Sequence, residues 1–329
     1  MFQFSKLQID LALESDFAPG GYWGSRLRGG YGRVLKDGLC DHQDLTDCRE
    51  CPRFRECDFP RLFQPVRTLE ESRLADAPLK HKVDLPRPFV IDPPPVIDRE
   101  YRRGEIITLG FTSLGPLCQS IAYPVLAFER FEQTGIPGRS HHVSRFRIAG
   151  VRDLLAGGRS IYQSGTLSSA ITHDIASLTR EAWPWEGNSE LEVKFITPLS
   201  VVNSHARERD PESGITIFTD FYDLIYNLTN RIGGLWQLYG EGWPGQAGFF
   251  RWREQLLKAS RQITTAHRDL QMVRTWGHSN RQQADRPLGG FTGRMKFAGE
   301  FSPFAELLGI GEIVHVGNQT AFGLGRYVL

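Results

Sequence analysis

The sequence lacks long apolar runs and a leader-like start. No run of about eighteen apolar residues occurs, so no transmembrane helix is predicted. No basic segment followed by an apolar core opens the chain, and Asp10 interrupts its first apolar stretch, so no signal peptide is expected. We therefore expect a cytoplasmic protein with reduced cysteines, in which clustered cysteines indicate a metal site rather than disulfides.

Carboxylate clusters suited to Mg²⁺ and the familiar phosphate-binding motifs are also missing. The glycine-rich stretch near the end of the chain has no Gly-Lys-Ser/Thr after it, so it is not a P-loop, and no helix follows it, so it is not a dinucleotide fingerprint. Its glycines, Gly317, Gly323 and Gly325, precede Arg326, and successive N–H groups in such a loop can form an anion-binding nest. We predict that the anion is a phosphate, and a tight turn between two strands is the alternative.

The chain has little net charge, +1 over 329 residues, but that value hides an asymmetry. The segment from Arg251 to Lys296 holds ten Lys/Arg and three Asp/Glu, a basic surplus of seven, so the rest of the chain has an acidic surplus of six. A local basic stretch suggests a polyanion-binding face, although a solvated helix face is the commoner cause. The interleaved Trp252, His267, Trp276 and His278 favour nucleic acid, because planar groups can stack on bases.

The hydrophobic periodicity predicts strand, helix and further strands in each half of the chain. The predicted strands are Phe2–Leu13, Glu105–Leu114, Val143–Ile148, Glu190–Leu199, Met295–Phe301, Glu312–Val316 and Phe322–Val328, and the predicted helices are Ser25–Leu39, Ser120–Gln133 and Phe218–Leu238. This order is consistent with α+β ferredoxin-like domains. A composition shift at Trp183–Asn188 divides the chain into domains 1–186 and 187–329.

Four of the five cysteines are clustered between the first helix and the next apolar stretch. Cys40, Cys48, Cys51 and Cys57 follow the pattern C-x7-C-x2-C-x5-C. Four thiolates this close in sequence can surround one metal tetrahedrally, and the C-x2-C pair has the spacing of a zinc knuckle. The pattern predicts structural zinc; an iron–sulfur cluster uses the same ligands, and His42 could replace one cysteine. Free buried cysteines or a metal-free redox pair are the alternatives.

Taken in order, several motifs resemble the CRISPR repeat-processing endoribonucleases of the repeat-associated (RAMP) superfamily. The similar segments are Leu27–Lys36 (its first helix), Cys40–Phe63 (a Cys-containing branch), Phe195–Leu199 (the opening strand of its second domain), Trp276–Gln282 with Leu288–Gly293 (the segment before its final strands) and Gly317–Arg326 (its C-terminal glycine-rich loop). The resemblance covers most of the chain. It implies two tandem ferredoxin-like (RRM-like) domains with a Cys-rich insertion at 40–57 and a C-terminal glycine-rich loop.

The resemblance also implies a chemistry. The family cuts precursor RNA without a metal: the 2′-hydroxyl attacks the neighbouring phosphate, and guide RNAs with 2′,3′-cyclic phosphate and 5′-hydroxyl ends result. A base, an acid and a charge stabiliser are needed. Some members have a histidine where this chain has Arg33, so the nearest histidine, His42, is the expected acid or base. Lys36 or Arg33 is the expected charge stabiliser, and Tyr31 the expected positioning hydroxyl.

The expected partners are CRISPR repeat RNA, both precursor and mature guide, and other CRISPR effector subunits. The expected RNA contacts are Arg26, Arg28, Arg281, Arg294, Lys296, Arg326 and the three loop glycines. Such phosphate contacts position the RNA, whereas base contacts read its sequence. A non-catalytic or weakly catalytic repeat-RNA-binding subunit is the alternative function. A metal-stabilised protein-interaction module is a third hypothesis.

Overall fold

The computed structural model describes residues 1–45, 47–95, 99–139, 142–163, 165–175, 189–201, 209–279 and 284–329. The chain divides into two compact units. The first comprises Gln3–Thr68 and Val83–His173, and the second comprises Met1–Phe2, Leu69–Lys82 and Asp174–Leu329. The predicted boundary between residues 186 and 187 lies outside the described residues. Within the described ranges, no helix is long and apolar enough to cross a membrane.

The first unit is built around one antiparallel sheet. In chain order, the elements from Gln3 to Asp174 are β1 Gln3–Leu13, α1 Gly24–Leu39, α2 Asp58–Leu62, α3 Leu69–Leu74, β2 Phe89–Asp92, β3 Ile106–Leu114, α4 Ala122–Thr134, β4 Ile136–Pro137, β5 Val143–Ser144, β6 Phe146–Asp153, β7 Arg159–Gln163, β8 Thr166–Leu167 and β9 His173–Asp174. Of these elements, α3 belongs to the second unit. Strand β1 lies between β3 and β6, and β2 pairs with the other side of β3. With α1 and α4, this is the order of a ferredoxin-like β-α-β-β-α-β unit, extended by β7 and β8.

Helix α1 packs on this sheet through an aromatic cluster. The Tyr31 ring lies 5.6 Å from that of Phe63, 5.3 Å from Phe89 and 5.4 Å from Phe111. The helix approaches closely because Gly32 carries no side chain: a Cβ there would lie 2.0 Å from the Phe63 ring. The buried face of α1 therefore fixes which of its residues can reach solvent.

The second unit repeats the arrangement. Its elements after Asp174 are β10 Glu190–Leu199, α5 Phe221–Tyr239, α6 Gly245–Ser260, β11 Thr264–Val273, β12 Trp276–Ser279, β13 Ala284–Pro287, β14 Gly290–Ala298, α7 Ala305–Val314 and β15 Tyr327–Val328. The sheet order is β11-β14-β10-β15, with the first and third strands of the motif in the centre, as in the first unit. Strands β12 and β13 pair as a separate hairpin. The predicted fold class, two tandem ferredoxin-like α+β domains, is confirmed.

Two predictions near the C-terminus are wrong. The predicted strand Glu312–Val316 is largely the end of helix α7, and only Tyr327–Val328 of the predicted strand Phe322–Val328 pairs in the sheet. Because α7 is apolar on nearly all sides, a short window of it cannot be distinguished from a buried strand. Gly311 lets this helix pack closely against β15, since a Cβ at that position would lie 2.1 Å from the Tyr327 hydroxyl.

Candidate functional site

The four clustered cysteines meet in one place. They line a small cavity of about 20 Å³, room for a single ion or water, and Lys36 and His42 also line it. Cys40 follows the last residue of α1, Cys48 begins a 3₁₀ turn, and Cys57 precedes α2. Chain folding thus brings together cysteines that lie up to seventeen positions apart in sequence.

Burial in this cavity disfavours the negatively charged thiolate form of the cysteines unless a cation offsets the charge. Burial, with smaller contributions from Cys40 and Cys57, raises the pKa of Cys48 to about 11, while the nearby Lys36 acts in the opposite direction. Burial also raises the pKa of Cys57. In the described part of the chain, no three His, Cys, Asp or Glu side chains stand close enough together to hold a metal as they are. A metal would therefore have to draw the sulfurs towards a common centre.

Lys36 closes the loop that follows α1. Its Nζ donates hydrogen bonds to the carbonyl oxygens of Gln43, at 2.9 Å, and Leu45, at 2.7 Å. The ammonium group is therefore already occupied in holding the loop on which the half-buried His42 lies. Of the expected charge stabilisers, Arg33 is the more accessible, because it is exposed on α1.

Tyr31 does not fit the role of a positioning hydroxyl. Its side chain is fully buried in the aromatic cluster under α1, and burial raises its pKa well above the ordinary value. A group in this position cannot contact RNA, so this prediction is wrong. The spacing of α1 puts Tyr31 on the core face and Arg33, two positions later, on the opposite side.

Arg26 and Arg28 are partly committed to packing. The guanidinium of Arg26 donates to the Pro19 carbonyl, and burial lowers its pKa. The guanidinium carbon of Arg28 lies 4.2 Å from the centre of the Phe63 ring. Both side chains are half-buried, so their contribution to RNA binding remains a prediction with a competing structural role.

The glycine-rich loop is a packed turn, and its amides are not arranged as an open nest. Gly323 and Gly325 are buried, with φ of +84° and +72°. The Gly323 amide donates to the Thr320 carbonyl at 2.8 Å, and the Gly325 amide donates to the Pro198 carbonyl at 3.0 Å. These two donors are used within the fold, so the predicted nest is wrong for both.

Close packing also explains why position 317 is a glycine, and a hydrogen bond holds the backbone of Arg326 in place. A Cβ at Gly317, where φ is +84°, would lie 2.3 Å from the Ser200 carbonyl oxygen. The Arg326 amide donates to the Thr197 hydroxyl at 2.9 Å, while its side chain is half-exposed. Arg326 is thus the residue of this loop that keeps a charge at the surface.

The outward face of the second sheet carries a row of charges. Its exposed members on neighbouring strands are Lys194, Glu192, Asp269, Arg294 and Lys296. Arg294 lies 3.6 Å from Asp269, and Lys296 lies 3.5 Å from Glu192. Lys194 is absent from the predicted set, although the alternation of β10 already directs it to this face, opposite Arg294.

Two exposed planar groups lie in the same unit. His267 lies on β11 opposite Lys296, and Trp276, 59% exposed, begins the β12–β13 hairpin. Trp252, in contrast, packs against Trp236 and Phe249. Of the predicted RNA contacts, Arg281 lies outside the described residues.

Two family comparisons cover almost the whole chain. Residues 193–327 match the family described as CRISPR-associated endoribonuclease Cas6. Residues 2–175 match AF_1859_N, which is described as an N-terminal domain. Comparison with curated proteins finds no match.

Solved structures share the fold at low sequence identity. Cas6 (TTHB231) of Thermus thermophilus, in a product complex, is 17% identical with a TM-score of 0.54, and 99% of this chain and 98% of that chain are covered. A chain of a partial Cas6-RT-Cas1–Cas2 complex is 12% identical with a TM-score of 0.57, covering 100% of this chain and 46% of that one.

Both units have the ferredoxin-like strand order, and solved Cas6 structures share this fold. Over residues 193–327, the chain is similar to the CRISPR-associated endoribonuclease Cas6 family. The resemblance to CRISPR repeat-processing endoribonucleases that the sequence motifs indicated is confirmed, and the assignment to a Cys-containing branch stays a prediction.

Proposed function

We propose that this chain binds CRISPR repeat RNA and cleaves it to release guide RNAs. The observation that carries the proposal is the Cas6 match over residues 193–327, on a chain whose two halves both have the ferredoxin-like strand order. The outward face of the second sheet exposes three cations for contacts with a polyanion, Lys194, Arg294 and Lys296, beside the carboxylates of Glu192 and Asp269.

The proposed reaction is metal-independent transesterification. The 2′-hydroxyl attacks the scissile phosphate, the 5′ oxygen leaves with a proton, and the product carries a 2′,3′-cyclic phosphate. We assign proton transfer to His42, because an imidazole can both accept and donate a proton under physiological conditions. We assign charge stabilisation to Arg33, because it is exposed, whereas the Lys36 ammonium already donates to two carbonyl oxygens.

RNA binding is assigned to the outward sheet face and its surroundings. Arg294 and Lys296 have carboxylate neighbours at 3.6 and 3.5 Å, and these exposed ion pairs are each worth only about 0–1 kcal/mol. A phosphate can therefore replace the carboxylate at low cost. Lys194 and Arg326 add positive charge, and Trp276 offers a stacking surface.

Other CRISPR proteins are proposed as further partners. This rests on the partial Cas6-RT-Cas1–Cas2 complex, in which a longer chain contains a region of similar fold. A repeat-RNA-binding subunit with little or no catalysis is the second candidate function. It is favoured by one observation: α1, from Gly24 to Leu39, contains no histidine.

The test uses the purified chain and the repeat RNA encoded beside its gene. We expect cleavage at one position in EDTA, with a cyclic phosphate on the upstream product and a 5′-hydroxyl on the downstream product. Cleavage that EDTA abolishes and Mg²⁺ restores, with 3′-hydroxyl ends, would contradict the chemistry. Tight binding without cleavage would establish the second candidate function, and absence of RNA binding would refute both.

A further inference from the structure

We infer a structural zinc site in the first unit, independent of the RNA reaction, whose ligands are the thiolates of Cys40, Cys48, Cys51 and Cys57. Four thiolates complete the tetrahedral shell that Zn²⁺ prefers in structural sites, and no position remains for a water or substrate. His42, although it lines the same cavity, stays outside this shell and remains available for proton transfer.

The backbone already brings the ligands into two adjacent pairs. The Cys51 amide donates to the Cys48 carbonyl at 3.2 Å, which closes the tight turn expected of a C-x2-C knuckle. The Cys57 Sγ lies 3.9 Å from the carbonyl oxygen of Leu39, which directly precedes Cys40. Both pairs line the same cavity, so zinc binding needs only a local approach of the sulfurs.

The surroundings suit a negatively charged metal centre. A zinc ion with four thiolates carries a net charge of about −2. Lys36 is close enough to act on Cys48, and its ammonium is held by the Gln43 and Leu45 carbonyls. Lys36 thus supplies a fixed compensating charge at the cavity wall, which explains why a lysine lies among four cysteines.

A metal also explains how this segment keeps its shape. Between the end of α1 and the start of α2, the regular structure in the described residues is one 3₁₀ turn, and most side chains there are exposed or half-exposed. Such a segment buries too little apolar surface to order itself, so metal binding would supply the stabilisation. The ion would join the end of α1 to α2, whose Phe59 stacks on Phe63 under the helix.

The experiment measures metal in the full chain, purified from medium supplemented with zinc sulfate. We expect about one zinc per chain by elemental analysis. Cys51→Ser should retain less than about a tenth of it. Cys118→Ser is the matched control, because Cys118 is a buried free cysteine outside the cluster, and it should keep the full amount. His42→Ala should also keep its zinc.

A second measurement tests the zinc site if Cys51→Ser does not fold. Wild-type protein stripped of metal is titrated with Co²⁺, and a tetrahedral thiolate site should give the intense visible bands of four sulfur ligands, which zinc then removes. Absence of these bands together with absence of zinc and iron in the isolated protein would overturn the inference. A visible absorption band with bound iron would overturn the assignment to zinc, and loss of zinc from His42→Ala would overturn the all-cysteine shell.

Discussion

The packing of the glycine-rich loop makes a quantitative prediction for Gly325→Ala. The residue has φ of +72°, and a Cβ there would lie 1.8 Å from the Val316 carbonyl oxygen. The left-handed backbone alone costs about 1–2 kcal/mol for a non-glycine residue. The carbonyl must also move, which disturbs buried hydrogen bonds such as Gly325 N–H to Pro198, at about 1–3 kcal/mol. We expect a total loss of about 2–5 kcal/mol.

Gly242→Ala separates the two contributions. Gly242 lies in the same unit with φ of +66°, and nothing stands within 4 Å of the position its Cβ would occupy. This variant should lose only the backbone contribution, about 1–2 kcal/mol. The difference between the two variants, about 1–3 kcal/mol, therefore measures the close approach of the loop to the Val316 carbonyl.

The assay is urea unfolding followed by far-UV circular dichroism, with repeat-RNA affinity measured on the folded fraction. We expect the midpoint of Gly325→Ala to fall well below that of Gly242→Ala. Equal midpoints would refute the packing argument. A Gly325→Ala protein with normal stability and much weaker RNA binding would show instead that the loop amides serve the RNA.

Three further predictions concern catalysis, binding and pH. His42→Ala should slow repeat cleavage by about a hundredfold or more while RNA binding persists, and an unchanged cleavage rate would remove His42 from the reaction. Arg294→Ala should weaken RNA binding and reduce the slope of log affinity against log salt by about one, whereas Asp269→Asn, which frees Arg294, should not weaken it. The hydrogen bond from Arg274 lowers the pKa of Asp210 below its ordinary value, so Asp210 contributes stability above its unfolded-state pKa that is lost as pH falls through the folded-state pKa. Asp210→Asn should therefore unfold more readily than wild type at pH 7 but not at strongly acidic pH, and a constant difference in thermal midpoint across that range would contradict this.

Regular periodicity made the first helix and the central strands predictable. The predicted helix Ser25–Leu39 begins within one residue of α1, and the predicted strand Glu190–Leu199 coincides with β10. Helix α6 and strand β11 were not predicted at all. Strand β11 is exposed along most of its length at the edge of the sheet, so it carries no alternation of apolar and polar residues to reveal it.

The candidate site residues were predictable where short sequence spacing brings them together. They were not predictable where contacts between distant segments decide their positions. The four cysteines share one cavity, as their short spacing suggested. The sequence marked Gly325 as special but could not identify its neighbour, because Val316 comes close only through the final turn of the fold. Tyr31 and Arg33 are equally prominent in the sequence, and only the packing of α1 decides which of them reaches solvent.

One measurement tests the proposed reaction most directly. Repeat RNA carrying a single 2′-deoxy nucleotide immediately upstream of the mapped scissile phosphate is compared with unmodified RNA. We expect the deoxy RNA to bind with unchanged affinity and to remain uncleaved, because the attacking 2′-hydroxyl is missing. Cleavage of the deoxy RNA at the same position and at a similar rate would contradict the proposed transesterification, since the nucleophile would then have to be something other than the 2′-hydroxyl.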